Sequence, residues 1–221
     1  GRLLVCAGAV EDGLLENLYS LLSDYGITAH DGLVVDMDRA HYAMVPYLLM
    51  PDLNSSDITD PLIDSNYYTY LPLSIGLTVG EETGRGTVTA LLTTSEGSYS
   101  KAAGYELETY DREEGDTDGP FAVAVSVEDA GGGQIIWFAS DQFLTDEFNA
   151  YSSGANQDLV INALSQLIGE SESLAIRSRS LSYNYLTINE AAASLLQVLM
   201  IGVFPLLFLG IGIYIVLRRR R

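Results

Sequence analysis

Cys6 is the only thiol of the chain, and it closes an apolar run, Arg2-Leu-Leu-Val-Cys6, that is followed by Ala7-Gly8. Nucleophilic catalysis by cysteine needs a thiolate held on a sharp turn beside a base. Here Val5 stands where such an elbow carries glycine, and Leu4, Val5 and Ala7 are apolar, so Cys6 reads as a buried structural residue. His30 and His41 stand among Asp31, Asp36, Asp38 and Arg39. They fit either a polar loop or a cleft at strand ends, where open α/β sheets bind ligands. Asp141 follows the apolar run Gln134–Ala139 at an expected strand edge. A carboxylate there can ligate a cation, but it reads first as a loop cap. The acidic loop Asp111–Gly119 offers D-x-D-G at Asp116, Asp118 and Gly119 without the spacing or the closing Glu of an EF-hand, which leaves cation binding there open. Asn54-Ser55-Ser56 is a formal glycosylation sequon.

Other chemistry is excluded by composition. The single lysine, Lys101, sits in Ser-Lys-Ala, so no phosphate-binding loop exists. Neither G-x-S-x-G nor H-E-x-x-H occurs. Two histidines and one cysteine cannot build the usual zinc site by themselves. No catalytic, cofactor-binding or metal-binding residue is therefore assigned. The net charge is −19, and all 30 Asp and Glu precede residue 191, while four of the 11 Lys and Arg are the terminal arginines. Nucleic acid is not expected as a partner, because phosphates require cationic side chains.

The elements that must position these residues follow from periodicity. Arg2–Cys6, the Leu33-Val34-Val35 run, Tyr47–Met50, Leu73–Val79, Val88–Thr93, Phe121–Val127, Gln134–Ala139 and Leu174–Ile176 read as strands. Glu11–Tyr25 and Asn156–Ile168 carry leucines at helical spacing, and Gly26 suits a helix stop. Ser56 begins a candidate short helix, Tyr105–Gly119 a loop, and Asp129–Gly133 is a turn. Strands and helices alternate at both ends, and several strands are apolar throughout. This predicts an α/β fold with a mostly parallel sheet flanked by helices over residues 1–177, including a β-rich excursion. Residues 178–190 read as a linker. Residues 191–217 contain no Asp, Glu, Lys, Arg or His and precede Arg218–Arg221. That pattern predicts a transmembrane helix in the lipid bilayer of the plasma membrane, with an arginine tail held on the cytoplasmic side and the domain outside the cell. An outside domain needs an export signal, so the chain is expected to be the C-terminal part of a longer polypeptide.

Four motifs occur in order. Leu22-Ser-Asp-Tyr-Gly-Ile27 with Asp31-Gly-Leu-Val-Val-Asp36 is followed by Leu91-Leu-Thr-Thr-Ser95, Gly119-Pro-Phe-Ala-Val-Ala124 and Ile135-Ile-Trp-Phe-Ala-Ser-Asp-Gln-Phe143, with Asn156 and Asn162 beyond. Together with the apolar, arginine-stopped tail, they resemble the GldG-like family, auxiliary components of ABC-type transport systems first associated with gliding motility. The resemblance implies a class I glutamine amidotransferase-like fold and a non-catalytic, membrane-anchored accessory subunit. Its partners would be a separate ABC permease and an ATPase. The family also carries an N-terminal membrane segment that these residues do not include. Two other readings stand beside it: a surface hydrolase or amidotransferase-like enzyme using Cys6 or the Asp141 region, and an extracytoplasmic module that binds a ligand or glycan.

Overall fold

The segment Ala122-Val-Ala-Val-Ser-Val127 is buried along its whole length, and the main sheet is built outward from it. The structure is a computed structural model that describes residues 1–11, 13–80, 84–169 and 197–220. Contacts divide the chain into two units, Gly1–Ser180 and Leu181–Arg221.

In the first unit the elements are β1 (Arg2–Cys6), α1 (Glu16–Ser23), β2 (Ile27–His30), β3 (Leu33–Asp36), β4 (Leu48–Leu49), β5 (Asp52–Leu53), α2 (Asp60–Asp64), β6 (Leu71–Pro72), β7 (Gly76–Val79), β8 (Gly86–Thr93), β9 (Ser98–Lys101), β10 (Thr117–Asp118), β11 (Ala122–Asp129), β12 (Gln134–Phe138), α3 (Asp146–Tyr151) and α4 (Ala155–Ile168). The main sheet has the order β1-β12-β11-β7-β2, with β8 also on β11 and β5 on β8. A second sheet has the order β10-β9-β3, and β4 pairs with β6.

This arrangement corrects the expected fold class. Among the described strands only β1 and β12 are parallel, in the register Leu4↔Ile136. β11 is antiparallel to β12, β7 and β8, and β2 is antiparallel to β7. The sheet is mixed, not the mostly parallel, class I glutamine amidotransferase-like sheet that was expected. The physical reason is connectivity. The four residues 130–133 join β11 to β12, and a parallel pair would need a crossover of a dozen residues or more. Apolar strands here report burial on both faces rather than parallel pairing. Trp137 packs on Tyr19 of α1 with ring centroids 5.1 Å apart, and the next residue, Phe138, packs on Phe143 at 5.2 Å. Successive side chains of a strand point to opposite faces, so β12 is covered on both.

The helices differ from expectation at one end. α4 spans nearly the predicted range and stops at Gly169, whose φ of 82° lets its N–H reach the Ser165 and Gln166 carbonyls. α1 begins at Glu16 instead of Glu11, because Gly13 adopts φ 94° and bridges to Val10. Asn156, fully buried, donates from Nδ2 to the Tyr70 and Phe143 carbonyls and accepts from the Tyr70 N–H, while Asn162 donates to the Ile58 carbonyl. Both motif asparagines therefore anchor α4 to loops.

In the second unit, Val198–Val203 is a π-helical segment and α5 (Phe204–Arg219) is an α-helix. The Phe204 N–H bonds back to the Leu199 carbonyl, five residues away, and Pro205 supplies no N–H, so the register changes at this point. The 16 residues of α5 rise about 24 Å, against about 30 Å of bilayer hydrocarbon. Among the described residues no helix is long and apolar enough to cross a membrane. The expected single-pass anchor over 191–217 is corrected accordingly, together with the placement of the domain outside and Arg218–Arg221 inside that depended on it. The expected strand Leu174–Ile176, the linker 178–190 and residues 191–196 lie outside the described residues.

Candidate functional site

Two of the expected chemical residues meet at the ends of neighbouring parallel strands. Cys6 closes β1, and Asp141 lies three residues beyond β12. Gly8 permits the close approach, since a Cβ there would lie 2.9 Å from both Asp141 Oδ1 and the Leu73 carbonyl. Their meeting suppresses the thiolate instead of activating it. Burial, reinforced by the negative charge of Asp141, pushes the Cys6 thiol up to about 11. Around them Tyr19 donates to the Ala7 carbonyl at 2.8 Å and Tyr105 to the Ala9 carbonyl at 3.0 Å. Burial, and Asp141 after it, raise both phenols above their ordinary value. Neither histidine is brought here: His30 lies on β2 and His41 follows β3.

The acidic loop finds its cations within the chain. Lys101 is fully buried at the end of β9, and its Nζ lies 2.6 Å from Glu113 Oε2, 3.0 Å from Asp116 Oδ2 and 2.7 Å from the Asp111 carbonyl. Burial opposes the ammonium, but the Glu113 and Asp116 carboxylates outweigh it and hold Lys101 above the ordinary lysine range. Burial likewise opposes the Asp116 carboxylate, and the Glu113 and Ala102 N–H groups together with Lys101 bring it below its usual value. Asp118 forms a two-point pair with Arg112, at 2.6 Å to Nε and 2.9 Å to Nη2. The D-x-D-G carboxylates thus close a loop on a lysine and an arginine.

The other acidic cluster opens onto a groove. Asp36 ends β3 fully buried, and its carboxylate accepts from the Asp38 N–H at 2.9 Å, the Ser95 N–H at 2.8 Å and the Ser95 hydroxyl at 2.6 Å. These bonds pin the loop after β3 to the turn after β8. The pinned loop presents His41, whose Nε2 lies 3.2 Å from Asp52 Oδ2 on β5. Its Nδ1 lies 3.2 Å from Asp38 Oδ2 without the alignment of a hydrogen bond. Burial works against the imidazolium, while Asp52, Asp36 and Asp38 favour it more strongly, so the His41 pKa is raised. Among the described residues no group of three or more His, Cys, Asp or Glu is placed to hold a metal ion.

The groove itself is open and has a volume of about 870 Å³. Leu77, Val79, Ala90, Phe121 and Ala122 supply apolar walls, and Asp38, His41, Asp52 and Glu96 supply polar ones; among the described residues no Lys or Arg lines it. Met37, 44% exposed, projects at the same rim. His30 stands behind one wall, with Nε2 2.7 Å from Thr78 Oγ1 and its ring 5.3 Å from that of Phe121. Burial lowers its pKa. Asp31 caps the turn at Gly32, and Arg39 covers the Tyr42 ring at 4.7 Å. The sequon residue Asn54 is half-buried and donates to the Ala90 carbonyl at 3.0 Å. Two of the ordered motifs line this groove, through Ser95 and the Pro120-Phe121 pair, and a third reaches it through the bonds of Asp36 to Ser95.

The sequence matches no protein-family model and no curated protein. In three dimensions the chain is similar to a solved structure described as the "mmIFT52 N-terminal domain", with 17% identity and a TM-score of 0.50. The alignment covers 76% of this chain and 64% of that chain, so this chain spans less than two thirds of its length. At this identity the likeness concerns the fold alone.

Asp52, Ser95 and Glu96 are among the groove residues that the spacing of acids and histidines does not single out. Asp52 is 11 residues from His41, and Ser95 is 59 from Asp36. The one available signal was the placement of Ser95 at the end of an ordered motif.

Proposed function

We propose that this chain is a non-catalytic accessory protein that holds other chains together and transforms no substrate of its own. The observation that carries this reading is where the ordered motifs meet. Ser95 and Phe121 line an open groove with acidic and apolar walls, and the Asp36 carboxylate holds Ser95 in place, while the one thiol has its ionisation suppressed beside Asp141. A nucleophile needs a base to lower its effective pKa, and Cys6 has a carboxylate that raises it. The partners we propose are an ABC permease and its ATPase, as the motif order implies. The ATPase would supply hydrolysis, because the only lysine here is buried between Glu113 and Asp116.

Affinity purification of the tagged full chain in mild detergent is expected to retain a permease and an ATPase. Recovery of neither, in several detergents, would overturn the reading. In parallel, thiol labelling of Cys6 near neutral pH should run at least about a hundredfold slower than that of a free cysteine. The Cys6→Ser variant should retain the partners. Rapid labelling, with loss of function on substitution, would favour the hydrolase.

A further inference from the structure

The geometry points to the groove between the loop after β3 and the β7, β8 and β11 strands as the binding site for an extended segment of another protein chain, one that places an arginine or lysine at the Asp38–Asp52 rim and an apolar side chain on the Ala90–Phe121 wall. This rests on the accessory reading above and adds the chemistry of the segment that is held.

Charge selects the occupant. Among the described residues the groove is lined by three carboxylates, Asp38, Asp52 and Glu96, and by no lysine or arginine. The side chains of Asp38 and Asp52 are 50% and 70% exposed, so they retain capacity for a second cationic partner beyond His41. A guanidinium can take two carboxylate oxygens at once, which a lone imidazole cannot. A second copy of this chain would bring a domain of the same acidic character to the same rim, and like charges oppose that contact.

Shape and apolarity select the rest. Ala90 and Ala122 are small, and they leave room above the sheet where larger side chains would fill the volume. Met37 offers an exposed, adaptable thioether at the rim, suited to varied apolar side chains. Pinning by Asp36 fixes the rim before any partner arrives, so little ordering of the protein opposes binding.

The test uses the full chain and a fluorescein-labelled peptide in which valine or leucine alternates with arginine, read by anisotropy. The control peptides replace every arginine by glutamate or every apolar residue by serine. Binding of the arginine–apolar peptide alone is expected, with affinity falling about tenfold or more in Asp38→Asn/Asp52→Asn. Ala90→Phe, which fills the apolar wall, should abolish binding. Asp57→Asn/Asp64→Asn removes the same charge from exposed positions elsewhere and should change affinity less than about twofold. Equal losses in the two double variants, unaltered binding in Ala90→Phe, or equal binding of the glutamate peptide would each overturn the groove assignment. If permease and ATPase still co-purify with Asp38→Asn/Asp52→Asn, the accessory reading stands and the groove assignment fails. If the wild-type chain binds the peptide but retains neither subunit, the partner assignment fails and the groove stands.

Discussion

Lys101 and His41 each lie between two carboxylates, and the two clusters differ in almost everything else. Lys101 lies between Glu113 and Asp116, with the lysine fully buried and the Asp116 side chain only 2% exposed. His41 lies between Asp38 and Asp52, with the imidazole 17% exposed and the carboxylates open to solvent. At the lysine, the Asp111 carbonyl and the N–H groups of Ala102 and Glu113 complete the polar partners. At the histidine, one ring nitrogen has a carboxylate nearby without hydrogen-bond alignment. A buried charge must be fully paired, because desolvation otherwise opposes folding. At the groove the carboxylates stay open to solvent, so they need no full set of protein partners, and water on them can be displaced by a ligand. The lysine cluster closes a loop, and the histidine cluster leaves a rim available.

The largest effect should come from breaking the closed cluster. Lys101→Met leaves Asp116 buried beside a thioether, and it should cost about 3–5 kcal/mol in urea unfolding. Adding Asp116→Asn should return part of that loss, since the uncompensated charge is then removed. A loss below about 1 kcal/mol would place Lys101 among surface ion pairs and end the contrast. Asp36→Ala comes next. It strips the acceptor from the Ser95 hydroxyl and from two N–H groups, and should cost about 2–3 kcal/mol. Because Asp36 pins the rim, this variant should also weaken binding of the arginine–apolar peptide, whereas Lys101→Met, assayed where it remains folded, should not. Equal effects of the two variants on the peptide would merge the clusters into one structural unit.

The contrast also marks how far the sequence could be read. The strands around Phe121–Val127 and Gln134–Ala139, and helix Asn156–Ile168, were legible because each carries its own local pattern. The pairing of those strands is not carried by that pattern. Asp129–Gly133 was recognised as a turn, and a turn of that length already requires an antiparallel hairpin. Double-sided burial was read as parallel pairing although Tyr19 and Phe143 produce it here from opposite faces. β9 escaped notice because Ser98-Tyr-Ser-Lys101 is polar by composition and becomes buried only between β3 and β10. The apolar tail reads as a span from its composition and its arginine stop, with Pro205 tolerated as in membrane helices, and none of these shows the change of hydrogen-bond register at Phe204. Within the site, Asp36 and His41 were noticed as residue types. Their partners Ser95 and Asp52 lie on other strands, and no spacing rule joins residues that only the sheet brings together.

The smallest expected effect is also the one that separates the two clusters most cleanly, through pH and salt. His41 faces Asp38 on its own loop, Asp36 from β3 and Asp52 from β5, with Glu96 on the same groove wall. Its pKa is raised in the folded chain, so its stabilising contribution is complete below the unfolded value of about 6.5 and disappears as pH rises through the folded value. His41→Ala should therefore cost about 0.3–1 kcal/mol near pH 6 and nothing near pH 9. His30 titrates with the opposite sign. Burial depresses its pKa, so the stability tied to its neutral form is present above about pH 6.5 and is lost as pH falls through the folded value. His30→Gln should flatten the loss of stability on the acid side, and His41→Ala should deepen it. Concentrated salt should erase the His41 contribution, whose carboxylates are exposed, and leave that of Lys101 nearly intact. The peptide should bind more tightly as pH rises, since neutral His41 no longer competes for Asp38 and Asp52. Chemical denaturation of the three variants between about pH 5 and pH 9, at low and high salt, measures all of this. Histidine variants with parallel pH profiles, or a Lys101 contribution as salt-sensitive as that of His41, would show that exposure does not divide the two clusters.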